Sequence, residues 1–115
     1  MEHSILDDIK TLLNVADGDT SFDDELILHI NAVFLVLNQI GVGPESIYAI
    51  HSSLETWNDF FDDTDKLEAV KMYMSMKVKI AWDPPMSSTV MEVMKNTISE
   101  YEFRLGLQVD PKKES

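Results

Sequence analysis

Two adjacent prolines, Pro84 and Pro85, interrupt a chain whose flanking segments, 66–82 and 88–105, contain neither proline nor glycine. A helix cannot pass this point, because Pro84 lacks an amide hydrogen, its ring disfavours helical geometry at Asp83, and Pro85 keeps the link extended. The segment before the break must end near Trp82. The next one restarts beyond it, with Ser87, Ser88 or Thr89 as cap and Thr89 with Glu92 as a capping box.

The segment "KLEAVKMYMSMKVKIAW" carries two patterns at once. Met72, Met74, Met76, Val78, Ile80 and Trp82 alternate as in a strand, whereas Leu67, Val70, Met74, Val78 and Ala81 form a helical stripe. Asp65 with Glu68 makes an Asp version of the capping box, and Glu68 with Lys71 forms an i,i+3 pair. An unbroken strand here would be about twice the usual length, while a helix over 65–82 is ordinary, so a helix is expected, with its methionines as core filler. Beyond the prolines, Met91, Met94, Ile98, Tyr101 and Leu105 follow alternating steps of three and four, a seam suited to a helix pair within the chain or, second to that, to a subunit interface. Phe103 falls off this seam, and Gly106 is expected to stop the helix.

Before these two helices, "SILDDIKTLLNV" reads as a short helix capped by Ser4, with Asp7 and Asp8 in its first turn. A second helix, with Ser21 or Asp23 as cap, buries Leu26, Ile27, Ile30, Val33, Phe34, Leu37 and Ile40 and closes at Gly41. Leu28, Leu35 and Val36 lie beside that stripe, so this helix should touch neighbours on more than one side. Between Gly43 and Ser53, "SIYAIH" can form a short strand or an irregular segment. Thr56 caps a single turn whose Trp57, Phe60 and Phe61 plug one end of the core. The expected fold is all-α: a small bundle of about four helices, roughly 4–14, 23–40, 65–82 and 88–105, with a short irregular or extended segment at 44–62. Residues 1–107 form the domain, and 108–115 a polar tail that is disordered until a partner orders it.

Charge narrows the function. The chain has 115 residues with 21 acids and 9 bases, a formal net charge of −12. Residues 1–65 hold 14 of those acids and a single base, Lys10; residues 66–115 hold 7 acids and 8 bases. Such a surface repels phosphates, which argues against a nucleic-acid reader and for a partner with basic patches, or simply for solvated faces. Cysteine is absent, excluding disulfides, a thiolate metal site and a Cys nucleophile. No apolar run approaches the ~18 residues of a membrane span, and no basic leader precedes an apolar core, so a soluble, non-secreted chain with no membrane partner is expected.

Chemistry finds no foothold. The loop "ADGDTSFDDE" suggests calcium, but an EF-hand loop starting at Asp17 would need Gly and Glu where Phe22 and Leu28 stand. His3, His29 and His51 share no ligand spacing, and His29 reads as a half-buried structural residue. Phosphate-binding, dinucleotide and serine-nucleophile motifs are missing. Neither an enzyme nor a cofactor is expected.

From Lys66 to Val109 the chain resembles the head-tail connector proteins, also called head-completion or DNA-packaging adaptors, of long-tailed double-stranded DNA bacteriophages. The resemblance rests on a Lys-containing helix ending in Trp82-Asp83-Pro84-Pro85, a Ser/Thr-rich restart, and Glu102-Phe103-Arg104-Leu105; "SILDDIKTLLNV" and "ETWNDFF" also fit. It implies a mostly helical virion protein at the neck, made in the host cytoplasm and assembled into a usually dodecameric ring. That ring joins the portal to the next tail-side protein and lets double-stranded DNA pass without sequence-specific binding. On this basis Trp82, Pro84, Pro85, Tyr101, Phe103, Arg104 and Leu107 are expected at subunit or portal contacts, and Asp17, Asp19, Asp23 and Asp24 at the channel. The competing expectation is an acidic decoy that imitates DNA to occupy a basic enzyme; a small helical adaptor with no viral role is a third.

Overall fold

The computed structural model describes residues 4–16, 18–61 and 64–109, with Thr64 and residues 107–109 described by backbone alone. Among the described residues five helices follow one another: α1 (Ile5–Leu12), α2 (Asp23–Gln39), α3 (Trp57–Phe60), α4 (Thr64–Trp82) and α5 (Ser88–Val109). Among the described residues the only β pairing is an isolated bridge between Ser4 and Thr56. The all-α expectation holds, including the helical choice for the methionine-rich segment.

The ends of the helices explain most of the path. At the start of α1 the Ser4 hydroxyl accepts from the Asp7 amide at 3.1 Å. Its far end arrives earlier than expected, at Leu12, because Asn14 turns left-handed at φ 64° and lets the Val15 amide reach back to the Lys10 carbonyl. α2 closes in the same way, with Gly41 at φ 91° and the Val42 amide on the Leu37 carbonyl. At the prolines α4 stops at Trp82, and the Ser87 hydroxyl then accepts from the Val90 amide to begin α5. Ser87 is thus the cap, whereas Thr89 and Glu92 lie inside the helix.

Three further expectations are corrected. Neither Ser21 nor Asp23 caps α2: Asp19 takes both the Ser21 amide and hydroxyl, Asp23 is drawn to buried Lys10 at 2.8 Å, and Phe22 occupies the cap position without a side-chain bond. Asp65 lies in the first turn of α4 and not before it, since the helix begins at Thr64. Gly106 does not end α5, which runs on to Val109. Leu105 is buried on the core just before it and keeps the helix docked, and a glycine at ordinary helical angles weakens a helix without terminating it. Residues 108 and 109, assigned to the tail, are helical, while 110–115 lie outside the described residues.

Packing centres on α4, which lies against α2 on one side and antiparallel to α5 on another, with α1 set across α2 and α4. Leu67, Val70, Tyr73, Met74 and Val78 are its buried hydrophobic residues, and Ser75 is buried with its hydroxyl donating to the Met72 carbonyl. Ala81 is exposed, and Ile80 and Trp82 carry the packing of the last turn instead. Of the three methionines in this helix Met74 is fully buried and Met76 packs against the core, so core filling describes those two, whereas Met72 is exposed.

The segment at 46–51 is irregular and forms no strand. Asn31 of α2 presents its amide to Ile50 as a strand would, accepting from the Ile50 N–H at 2.8 Å and donating to its carbonyl at 2.9 Å. This clamp sinks Ile50 into the core and sets Tyr48 edge-on against Phe34, with Phe60 packed on both. Trp57 and Phe60 are buried, as the plug reading requires.

Two glycine substitutions test this arrangement with opposite signs. A Cβ on Gly106 meets nothing, so Gly106→Ala should raise the unfolding free energy by about 0.5–1 kcal/mol. At Gly43, φ is 95° and a Cβ would collide with the Phe60 ring, so Gly43→Ala should destabilise by more than that gain. Denaturant titration of both variants reads the two signs; a loss at Gly106 would show that α5 ends there.

Candidate interaction surface

Three polar knots fix the helices to one another. The Trp57 indole N–H donates to Asp8 at 2.8 Å, while Lys71 lies 3.7 Å from the same carboxylate and over the Trp57 ring at 5.5 Å. Lys10, almost wholly buried, is neutralised by Asp23. Between α4 and α5, the fully buried Tyr73 donates its hydroxyl to Glu102 at 2.7 Å, and Lys77 approaches the same carboxylate at 3.7 Å. Burial, then the Glu102 bond and charge, push the Tyr73 hydroxyl well above the usual phenol range. Tyr48 is raised in the same direction by burial and by the charges of Asp59 and Glu55. Glu55 is driven the other way: desolvation opposes its ionisation, but the His51 and Ser52 amides that donate to it prevail.

The seven expected contact residues fall into two groups. Trp82, half-buried, stands at the prolines with its ring edge-on to Phe22 at a centroid distance of 5.3 Å; Pro84 is exposed and Pro85 half-buried. Tyr101, Phe103 and Arg104 sit about 20 Å further along the hairpin, near the other end of α5. Tyr101 turns inward on the expected seam, Phe103 is exposed, and Arg104 is exposed beside Glu100 at 2.8 Å. The Leu107 side chain lies outside the described residues. The inner seam packs within the chain: Ile98 and Leu105 are buried in the same core as α4, with Tyr101 against it.

Of the four expected channel acids, Asp17 lies outside the described residues. Asp19 is half-buried and bonded to Ser21, and Asp24 is exposed in the first turn of α2. Asp23 is half-buried in its pair with Lys10 and presents little free charge.

Shallow grooves flank α5. One of about 400 Å³ is lined by Ala69, Glu100, Tyr101, Arg104 and Leu105. Another, of about 500 Å³, has Ile80, Ala81 and Ile98 on its floor and Lys77, Lys95 and Glu102 at its rim. Among the described residues no group of three His, Asp or Glu side chains converges as a metal site would require, and no helix is long and apolar enough to cross a membrane. What this surface offers is contact area between helices.

Sequence reading overlooked the Asn31 clamp and a second face of α5. The spacing of Thr89, Val93, Asn96, Glu100 and Phe103, again in steps of three and four, was the available signal.

The Tyr73 knot generates an alkaline signature. Its phenol stays protonated when folded and ionises when unfolded near pH 10, so its stabilisation is complete below about pH 10 and is lost as the pH rises beyond. Tyr73→Phe should cost roughly 1–3 kcal/mol at neutral pH and flatten the loss of stability above pH 10, as measured by urea unfolding across that range. An unchanged alkaline slope would count against the knot.

Compared with known proteins, residues 5–112 match the model of one family, described as Phage connector protein. No curated protein and no solved structure matches the chain. A match over nearly the whole length, on an all-helical fold, places this chain in the phage connector protein family.

Proposed function

We propose that the chain is a ring-forming subunit at the neck of the virion, joining the portal of the filled head to the next tail-side protein, extending the DNA channel, retaining packaged DNA and passing it at ejection. The observation that carries this reading is the family match over residues 5–112. The fold suits the role: a slab of helices only 22 Å through its thinnest dimension, with α4 in the middle and unlike helices to either side, can stand beside copies of itself around an axis.

Asp19 and Asp24, with Asp17 of the same loop, border the channel in this reading. Carboxylates within a Debye length, about 8 Å, of the phosphates repel them, so DNA slides without adhering. Asp23 serves instead to anchor that loop through Lys10. The turn at Pro84 and Pro85, beside Trp82, and the far end of α5 form opposite ends of the hairpin; in this reading the second end meets the portal.

The decoy reading fares worse because so many carboxylates have internal work. Asp8, Asp23, Glu55, Asp59 and Glu102 hold indole, ammonium, amide or phenol groups of this same chain. A DNA mimic needs those charges free and contiguous.

Mixing the purified chain with portal assemblies tests the role by native mass spectrometry and negative-stain microscopy. Rings added in fixed stoichiometry are expected, with amide protection of residues 100–109 rising on docking, and a chain shortened after Val109 should bind the portal more weakly. A protein indifferent to portals but bound to a basic nucleic-acid enzyme would contradict the proposal.

A further inference from the structure

Residues 26–44 contain no Asp, Glu, Lys or Arg, although 26 % of the chain is charged. Most of them belong to α2, whose inward side is filled by Leu26, Ile30, Val33, Phe34 and Leu37. On its opposite side Glu25, Leu28, Ala32, Leu35 and Gln39 recur in steps of three and four, and all five are exposed. Leu28 keeps 69 % of its surface in water and Leu35 42 %. A surface helix normally carries charge outward, and one that is apolar around most of its circumference belongs in an interior.

α5 has the counterpart. Thr89, Val93, Asn96, Glu100 and Phe103 follow the same steps along the side facing away from α4, and all five are exposed, Val93 at 59 % and Phe103 at 66 %. Each seam spans four turns, about 21 Å, so the two are equal in length.

Resting on the ring reading above, we propose that these seams meet between neighbouring copies, the α2 seam of one chain lying antiparallel along the α5 seam of the next. Position favours it. Tyr73 and Lys77 of α4 turn to α5, whereas Lys71 turns to α1 and α3 and Trp82 to the loop before α2, so the two outer seams sit on different sides of the subunit. A contact between unlike surfaces of this kind propagates head to tail and can close into a ring, while a self-complementary one stops at a dimer. Shape favours it too. Steps of three and four set knobs into holes, and the smaller Ala32 and Asn96 at mid-seam give Leu28, Leu35, Val93 and Phe103 room to interlock.

Charge selects the direction. Glu25 is the single ionised residue of the α2 seam, and Arg104 adjoins Phe103 at the end of the α5 seam. Antiparallel packing brings the two together, whereas parallel packing would set Glu25 against Thr89. In the separate chain Arg104 rests on Glu100 in an exposed pair of small net worth, so little is lost when it turns to bridge both carboxylates. Glu100 lies within the seam and needs that counter-charge once water leaves.

Because the chain has no cysteine, cross-linking is clean. In portal-bound protein carrying both Leu35→Cys and Val93→Cys, a short bis-maleimide should give a ladder of covalent multimers. Mixing the two single variants should give dimers only, and each alone should give none. Glu25→Arg and Arg104→Glu should each raise the concentration needed for assembly at least tenfold with unchanged thermal unfolding, and the two together should restore it. Leu35→Cys chains that join to one another would overturn the proposal in favour of a self-complementary contact. Intact wild-type rings with neither ladder nor charge-swap rescue would overturn the seam assignment and leave the ring standing. Absence of wild-type rings on any portal would overturn both.

Discussion

α4 has to bury two of its sides at once, and the rest of the fold follows from how it does so. One side, through Leu67, Val70, Met74 and Val78, completes the core begun by α1 and α2; another, through Tyr73, receives α5. A helix asked to do this cannot keep a clean polar face, so two of its cations lie along aromatic rings, Lys71 over Trp57 and Lys77 over Tyr73, while their ammonium groups reach carboxylates on other helices. Tyr73 brings a hydroxyl into the interior and is tolerated there because Glu102 accepts it. The prolines make that meeting possible by ending α4 and leaving the chain free to return along it.

Much of this was legible in the sequence because the signals are local. Helical spacing, the Pro84–Pro85 break and Gly41 located the long helices, and where the methionines alternate the Leu67–Ala81 stripe, the charged pairs at its start and the length decided for a helix over a strand. What escaped depends on partners distant in sequence. Asn31 replaces a strand neighbour for Ile50 nineteen residues away, so the Ile50 backbone is satisfied without a sheet. Ser21 and Asp23 looked like caps until Asp19 and Lys10 claimed them. Gly106 looked like a stop, yet the packing of Leu105 outweighs a glycine's modest cost.

The proposed contact surface was legible in pieces. Leu28 and Leu35 marked α2 as a helix with more than one apolar side, and Phe103 stood out as misplaced from the inner seam of α5. The connector motifs drew attention to the two ends of the hairpin, where Trp82 and Tyr101 turn out to be partly engaged inside the chain. The outer seam between those ends is a matter of register, which becomes visible only once the inward side of α5 is known.

The role proposed above asks for a rigid unit with two unlike sides and a surface that does not hold DNA. The polar knots tie the helices to one another, and the proposal assigns the two sides to the seams of α2 and α5 and the repulsion to the acids around the start of α2. A cryo-electron microscopy reconstruction of the assembled neck puts all of this to the test at once. Adjacent copies joined along α2 and α5, with Asp19 and Asp24 on the lumen, are the expected result; a lumen lined by Lys95 and Arg104, or neighbours joined through other helices, would contradict it.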